Sequence, residues 1–270
     1  MTFPILELVN KPFYFGIGGI GDFLLLMSTF YDDINDNDVD VIFVCNNTTV
    51  IRELVKQFPN VNKFWLHPNQ AFPKCPEMWD MIKSHPLCMG TGVTPKNFDY
   101  IKDWCECGKS NVFDYYGVKR QTLWMPLALS EEKTVCIQPF GGADDKTKIK
   151  EIPKYIVEQL IDEYVMNGST VYLIGSKKDE EKLGVLDTSM VWDEDGGWLH
   201  SFDESFKAIR STWQFIGADS WGKTLAAFAG APVKIYPNVY TKPLKEMFGM
   251  DKDPGNYVFL DNWGFDYFKV

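Results

Sequence analysis

Short runs of β-branched and aromatic residues recur along the chain, each followed by a stretch whose apolar residues fall three and four apart. In the first half, Tyr14 to Gly16 begins a strand. Asp22 to Tyr31 then reads as a helix with Phe23, Leu26, Met27 and Phe30 on one face. The polar stretch "DDINDND" reads as a turn before the strand Val39 to Cys45, which is followed by a helix from Thr48 to Gln57 and a strand from Val61 to Leu66. The second half repeats the alternation. Strands are expected at "TVCIQPF", "STVYLIG", "TWQFIGA" and "APVKIYP", and helices at "PKYIVEQLIDEYVMNG", "KKDEEKLGVL", "DESFKAIRS" and "SWGKTLAAFAG". Strands that alternate with helices form parallel sheets covered by helices, so the fold class is α/β.

The chain has 270 residues, enough for two such units. The segment Met125 to Lys133 reads as the linker, which gives an N-terminal domain of residues 1–128 and a C-terminal domain of residues 129–270. Between His67 and Lys109 the pattern gives way to Pro, Gly, Cys and aromatic residues and reads as a long loop.

Composition narrows the partners. With 27 Lys and Arg against 37 Asp and Glu, the formal charge is −10, which disfavours a general nucleic-acid binder or an anionic lipid surface. No apolar stretch reaches the roughly 20 residues that span a bilayer, so no integral membrane contact is expected. The six cysteines follow no secretory leader pattern, and a reducing cytoplasm, or a host's cytoplasm for a viral protein, is the expected location. Cys105-Glu-Cys107 is too close for a usual zinc pair and has no second pair at a suitable spacing, so no metal site is expected.

In open α/β sheets, ligands lie at the carboxyl ends of strands. Four loops there carry candidate chemistry. The turn "GIGGIGD" sets Gly18, Gly19 and Gly21 before Asp22, where a strand becomes a helix; an aspartate in that place can serve a cap, a phosphate or a catalytic base. "PFGGADDKTKIKEIP" exposes the backbone at Gly141 and Gly142 beside Lys146, Lys148 and Lys150, an arrangement that can hold a phosphate oxygen or simply be a solvated loop. It is no Walker loop, since no Gly-Lys-Ser/Thr ends it. In "LIGSKKDEE", Gly175 and Ser176 let a ligand approach, and Asp179 or Glu180 can accept from ribose hydroxyls or favour the first turn of a helix. In "GADSWGKT", Asp219 and Ser220 are N-cap types, and Trp221, Gly222, Lys223 and Thr224 open a helix suited to a diphosphate.

Taken in this order, the motifs resemble those of the lipopolysaccharide heptosyltransferase family of glycosyltransferases. "GGIGDFLLL" is similar to that family's Gly-x-Gly-Asp turn and sets Asp22 on its catalytic-base aspartate. "PFGGADDKTKIKEIP" sets Lys150 on the phosphate-binding lysine, with Ile152 in place of a tryptophan. "GSKKDE" resembles Gly-Gly-x-x-Asp/Glu, and "DSWGKTLAAFAGAPV" resembles Asp-Ser-Gly-x-x-His followed by an alanine-rich helix and Gly-x-Pro-Val. In that motif Trp221 replaces the glycine and Thr224 stands at the histidine position, so the donor sugar is left open. The resemblance implies two facing Rossmann-like domains, the GT-B arrangement, with the acceptor on the N-terminal side and a nucleotide-diphosphate sugar on the C-terminal side. It further implies inverting transfer to a hydroxyl acceptor, without a bound cofactor.

No Asp-x-Asp stands at a strand end: "DVD" (Asp38 to Asp40) precedes a strand and "DED" (Asp193 to Asp195) lies in a polar turn. Leaving-group charge is therefore expected to fall to lysines and helix amides instead of a metal ion. A glycan is one acceptor class and a hydroxymethylated DNA base the other, for which Lys109, Lys119 and Arg120 are the candidate backbone contacts. Two further readings stand beside transfer: a non-catalytic nucleotide-sugar binding module, and a dinucleotide-dependent oxidoreductase. Gly16, Gly18 and Gly21 satisfy Gly-x-Gly-x-x-Gly, but Val44-Cys45-Asn46-Asn47 occupies the place of the acidic ribose-binding residue.

Overall fold

The computed structural model describes residues 9–45, 48–58, 63–67, 81–82, 84–91, 133–141, 151–218, 220–236 and 266–267. The chain divides into two compact units, Met1–Gln121 and Thr122–Val270.

The first unit holds a four-stranded parallel sheet: β1 (Phe13–Ile17), β2 (Asp40–Val44), β3 (Lys63–His67) and β4 (Cys88–Thr91), in the order β3-β2-β1-β4. Phe15 lies opposite Ile42 and Ile17 opposite Val44. Every residue of β1 and β2 is buried, which is why both read as unbroken apolar runs. Helix α1 (Ile20–Thr29) covers the sheet through Phe23, whose ring meets Phe43 and Phe64 edge to face with centroids 5.4 Å apart in each case. Gly16 is required by this packing: a Cβ there would lie 2.7 Å from the Phe43 ring and 2.9 Å from Leu26.

Two expectations fail in this unit. The supposed turn "DDINDND" contains helix α2 (Tyr31–Asp36), pinned by buried Ile34 and by a hydrogen bond from the Tyr14 hydroxyl to Asp33. Tertiary contact here overrides weak helix formers. The long loop after His67 contributes β4, whose Cys88, Gly90 and Thr91 pair with β1 around a register shift between Phe13 and Tyr14. The helix α3 (Thr48–Val55) ends two residues before the expected Gln57.

Among the described residues the second unit shows six parallel strands: β5 (Lys133–Gln138), β6 (Ser169–Ile174), β7 (Gly197–Leu199), β8 (Gln214–Gly217), β9 (Val233–Ile235) and β10 (Asp266–Tyr267). Their order is β10-β9-β8-β5-β6-β7. Its helices are α4 (Lys154–Met166), α5 (Lys177–Leu183), α6 (Phe202–Ser211) and α7 (Trp221–Phe228). Helix α4 buries Val157, Leu160, Ile161 and Tyr164, an i, i+3, i+4, i+7 stripe, against Val135, Val171 and Leu173. It ends at Gly168 with φ +73°. Helix α5 stops at Leu183, short of the expected Leu186, because Gly184 turns the chain with φ +73°. Strands β7 and β10 were not expected; at three and two residues they are too short to carry a period.

The linker residues 125–132, Cys105 and Cys107, and Lys109, Lys119 and Arg120 lie outside the described residues.

Candidate functional site

The crossover points of the two sheets place the candidate loops. In the first unit the chain moves from β1 to β2 to β3 on one side and returns to β4 on the other. The order therefore reverses between β1 and β4, and the turn after β1 is the Gly18–Asp22 segment. In the second unit the chain runs β5, β6, β7 outward and returns to β8 on the far side of β5; the loops after β5 and β8 flank that reversal. Such reversals open a crevice at the carboxyl ends of the strands.

At the first reversal, Gly18 donates its N–H to the Val44 carbonyl at 3.0 Å and adopts φ +142°. Helix α1 begins at Ile20 with Gly19 as its N-cap, two residues earlier than expected, so Asp22 is the third helical residue. Its Oδ2 accepts the Gly19 N–H at 2.7 Å. Asp22 is half-buried, and its carboxylate is held against the positive end of the helix. Gly19 leaves ordinary contact space, with Asp22 Oδ2 3.8 Å from an added Cβ, and Gly21 lies inside the first turn. The aspartate is thus half of a capping arrangement, and its fixed orientation is compatible with a second use as a proton acceptor.

At the second reversal, Gln138 ends β5 beside Gly217 of β8, and the Ala218 N–H donates to the Gln138 carbonyl at 3.0 Å. Pro139 and Gly141 follow and are buried. Ser220 is the N-cap of α7 and has extended backbone, but its hydroxyl does not cap the helix: Oγ donates to Oε1 of Gln138. Trp221 is half-buried and packs on Phe202 of α6 with ring centroids 5.1 Å apart. Gly222 and Thr224 are buried, and Lys223 is half-buried in the first turn of α7. Gly142, Lys146, Lys148, Lys150 and Asp219 lie outside the described residues.

In the loop after β6 the candidate side chains are engaged at the start of α5. Ser176 and Asp179 close a capping box on α5: the Ser176 N–H and Oγ both donate to Asp179 Oδ2 at 2.7 Å, and the Asp179 N–H donates to Ser176 Oγ at 3.3 Å. Glu180 faces His200, with Oε2 3.0 Å from Nε2, and His200 Nδ1 lies 3.1 Å from the Gly175 carbonyl. Gly175 is packed, since a Cβ would lie 3.0 Å from both Asp179 and Trp198. These carboxylates already serve helix and loop structure.

Sequence reasoning missed Gln138, His200 and Phe202. Gln138 ends an apolar strand and carries no motif; only its place one residue before a Pro-x-Gly-Gly loop marks it. His200 and Phe202 follow β7, which no periodicity announced. Among the described residues no cluster of three or more His, Cys, Asp or Glu is arranged to hold a metal ion. Among the same residues no helix is long and apolar enough to cross a membrane.

Neither a protein-family model nor a curated protein sequence matches the chain. Solved structures do. E. coli ADP-heptose lipopolysaccharide heptosyltransferase II aligns over 84% of this chain and 84% of its own at TM-score 0.50 and 14% identity. E. coli heptosyltransferase WaaC with ADP-2-deoxy-2-fluoro heptose aligns over 83% and 88% at TM-score 0.50 and 12% identity. A glycosyltransferase of family 9 from Veillonella parvula aligns over 83% and 80% at TM-score 0.50 and 11% identity. With its parallel sheets and their strand-end loops, the chain has the α/β fold of these GT-B glycosyltransferases.

Proposed function

We propose that the protein is a glycosyltransferase that moves a sugar from a nucleoside-diphosphate donor to a hydroxyl acceptor, with inversion and without a metal ion. One observation carries the reading: the turn bearing Asp22 and the turn bearing Ser220 to Thr224 each stand at the order reversal of their own parallel sheet. The fold shared with heptosyltransferases supports it.

In this reading Asp22 accepts the proton of the acceptor hydroxyl as that oxygen attacks the anomeric carbon. The bond to the donor's phosphate oxygen breaks on the opposite face, and the nucleoside diphosphate leaves. The first-turn amides of α7, with Lys223 and Lys150, take up the charge that develops on the leaving group. Gly141 and Gly142 give the diphosphate access to backbone. The domains are assigned as residues 1–128 for the acceptor and 129–270 for the donor. The acceptor is a glycan hydroxyl; a hydroxymethylated DNA base is the alternative, and the net charge of −10 weighs against it.

The reading is tested by thermal shift with a panel of nucleoside diphosphates, nucleotide sugars and nicotinamide dinucleotides, since a ligand of the folded state raises its apparent stability. Stabilisation by a nucleoside diphosphate and its sugar conjugate is expected. Stabilisation by dinucleotides alone would support the oxidoreductase instead. A protein that binds a nucleotide sugar but transfers it to no glycan or DNA acceptor would be a binding module.

A further inference from the structure

His200 is one of three histidines in the chain and stands just past β7, where its ring has an acceptor at each nitrogen. Nδ1 lies 3.1 Å from the Gly175 carbonyl in the turn after β6, and Nε2 lies 3.0 Å from Oε2 of Glu180 on α5. A neutral imidazole carries a single N–H, so it can donate to only one of these oxygens and sets a lone pair against the other. The imidazolium carries two and satisfies both.

The surroundings favour the same form. The Trp198 ring lies within 10° of parallel to the His200 ring, with centroids 5.9 Å apart, which sets the cation on an aromatic face. Glu204 adds negative charge from α6; its carboxyl is held below the usual range first by the Ser201 hydroxyl and amide, then with help from His200 and Lys207. The acidic groups that meet His200 thus come from both α5 and α6. The residue is exposed, so its proton exchanges with solvent.

The ring closes a small circuit between two strand ends. The Gly175 N–H donates to the Leu199 carbonyl at 3.3 Å, one step past the Ile174–Leu199 pair, and the Gly175 carbonyl takes the His200 bond in return. Ser205 Oγ of α6 donates to the same Leu199 carbonyl at 3.4 Å. His200 therefore joins the β7–α6 junction to the β6–α5 turn and to α5 itself.

We propose that His200 is a proton-operated latch: charged, it ties the β7–α6 junction to both Gly175 and Glu180, and on losing its proton to water it releases one of the two and loosens the turn between β6 and α5. That turn stands at the carboxyl end of the sheet, where ligands of parallel α/β folds enter. Its order then depends on pH in the range where imidazole titrates, between about pH 5 and 8. The latch is a property of the chain without ligand and does not rest on the proposed function.

The test is hydrogen exchange at the Gly175 and Ser176 amides of the full chain, expressed as protection relative to unstructured chain at the same pH. Protection is expected to be roughly threefold or more higher at about pH 5.5 than at about pH 8, because the charged ring holds one more bond. The His200 Hε1 resonance should titrate with the same midpoint. In His200→Gln, which has no titrating proton, protection should be equal at the two pH values. Glu180→Gln offers an acceptor to the charged ring and a donor to the neutral one, so the step should shrink.

Equal protection at both pH values in the wild type, a step that persists in His200→Gln, or a step untouched by Glu180→Gln would each overturn the latch. Should His200→Gln fail to fold, the wild-type profile, its match to the Hε1 titration and the Glu180→Gln profile decide.

Discussion

Gly18 and Asp22 share one space. A Cβ at Gly18 would stand 2.5 Å from the Asp22 Cγ, and Gly18 itself has φ +142°, a conformation that residues with a side chain rarely adopt. The glycine therefore sets where the carboxylate stands, and the carboxylate in turn accepts the Gly19 N–H that closes the turn.

Gly18→Ala should consequently disturb both stability and the site. Strain in the backbone and displacement of the carboxylate together are expected to cost about 1–3 kcal/mol. Urea unfolding checks the first effect. Loss of transfer in protein that is still folded checks the second, whereas Gly19→Ala, with ordinary contact distances, should be much milder.

The capping box of α5 gives a contrasting expectation. Ser176→Ala and Asp179→Ala each remove a bond that holds the helix start, so each should lower stability by about 1 kcal/mol. Affinity for nucleoside diphosphates should stay as in wild type. A large loss of affinity in Asp179→Ala, with little loss of stability, would return Asp179 to the ribose site.

Stability should also fall at alkaline pH for an identifiable reason. The Cys136 thiol is fully buried in β5, and burial pushes it up from 9.0 to about 12. Burial and Asp33 likewise raise the Tyr14 phenol. Both groups keep their protons longer in the folded chain than in the unfolded one. Their contribution is therefore intact below about pH 9 and is lost as pH rises toward the folded values, since the unfolded chain gives up its protons first. Denaturant midpoints at about pH 8 and about pH 10.5 should differ, and the difference should be smaller in Cys136→Ala.

Transfer should persist in EDTA. Among the described residues no Asp-x-Asp follows a strand, and lysines with helix amides are assigned to the leaving diphosphate. Activity abolished by chelation and restored by Mg²⁺ or Mn²⁺ would contradict that assignment.

The sequence shows most of the fold because the central strands are buried on both faces. β1 and β2 are buried along their whole length and β5 over its last four residues, so each appears as a nearly unbroken run of apolar and β-branched residues. Edge elements leave weaker marks. β7 is Gly-Trp-Leu and β4 is Cys-Met-Gly-Thr, which resemble loop as much as strand, and α2 is polar except for Tyr31 and Ile34. The site divides in the same way. Asp22 stands out because glycines surround it, while Gln138 meets the hydroxyl of Ser220 82 residues away, a relation no local pattern encodes. For Asp179 the sequence left a ribose contact and a helix-start role side by side, and the structure shows its carboxylate in a capping box.

The central claim is that Asp22 takes the acceptor's proton, and turnover of Asp22→Asn tests it most directly. Asparagine can still accept the Gly19 N–H, so folding and donor affinity should be nearly those of the wild type. It cannot take up a proton, so turnover with the nucleotide sugar and acceptor used by the wild type should fall by roughly 10²-fold or more. Turnover near the wild-type rate, in a variant with unchanged melting and donor affinity, would contradict the account and leave Asp22 as a helix cap.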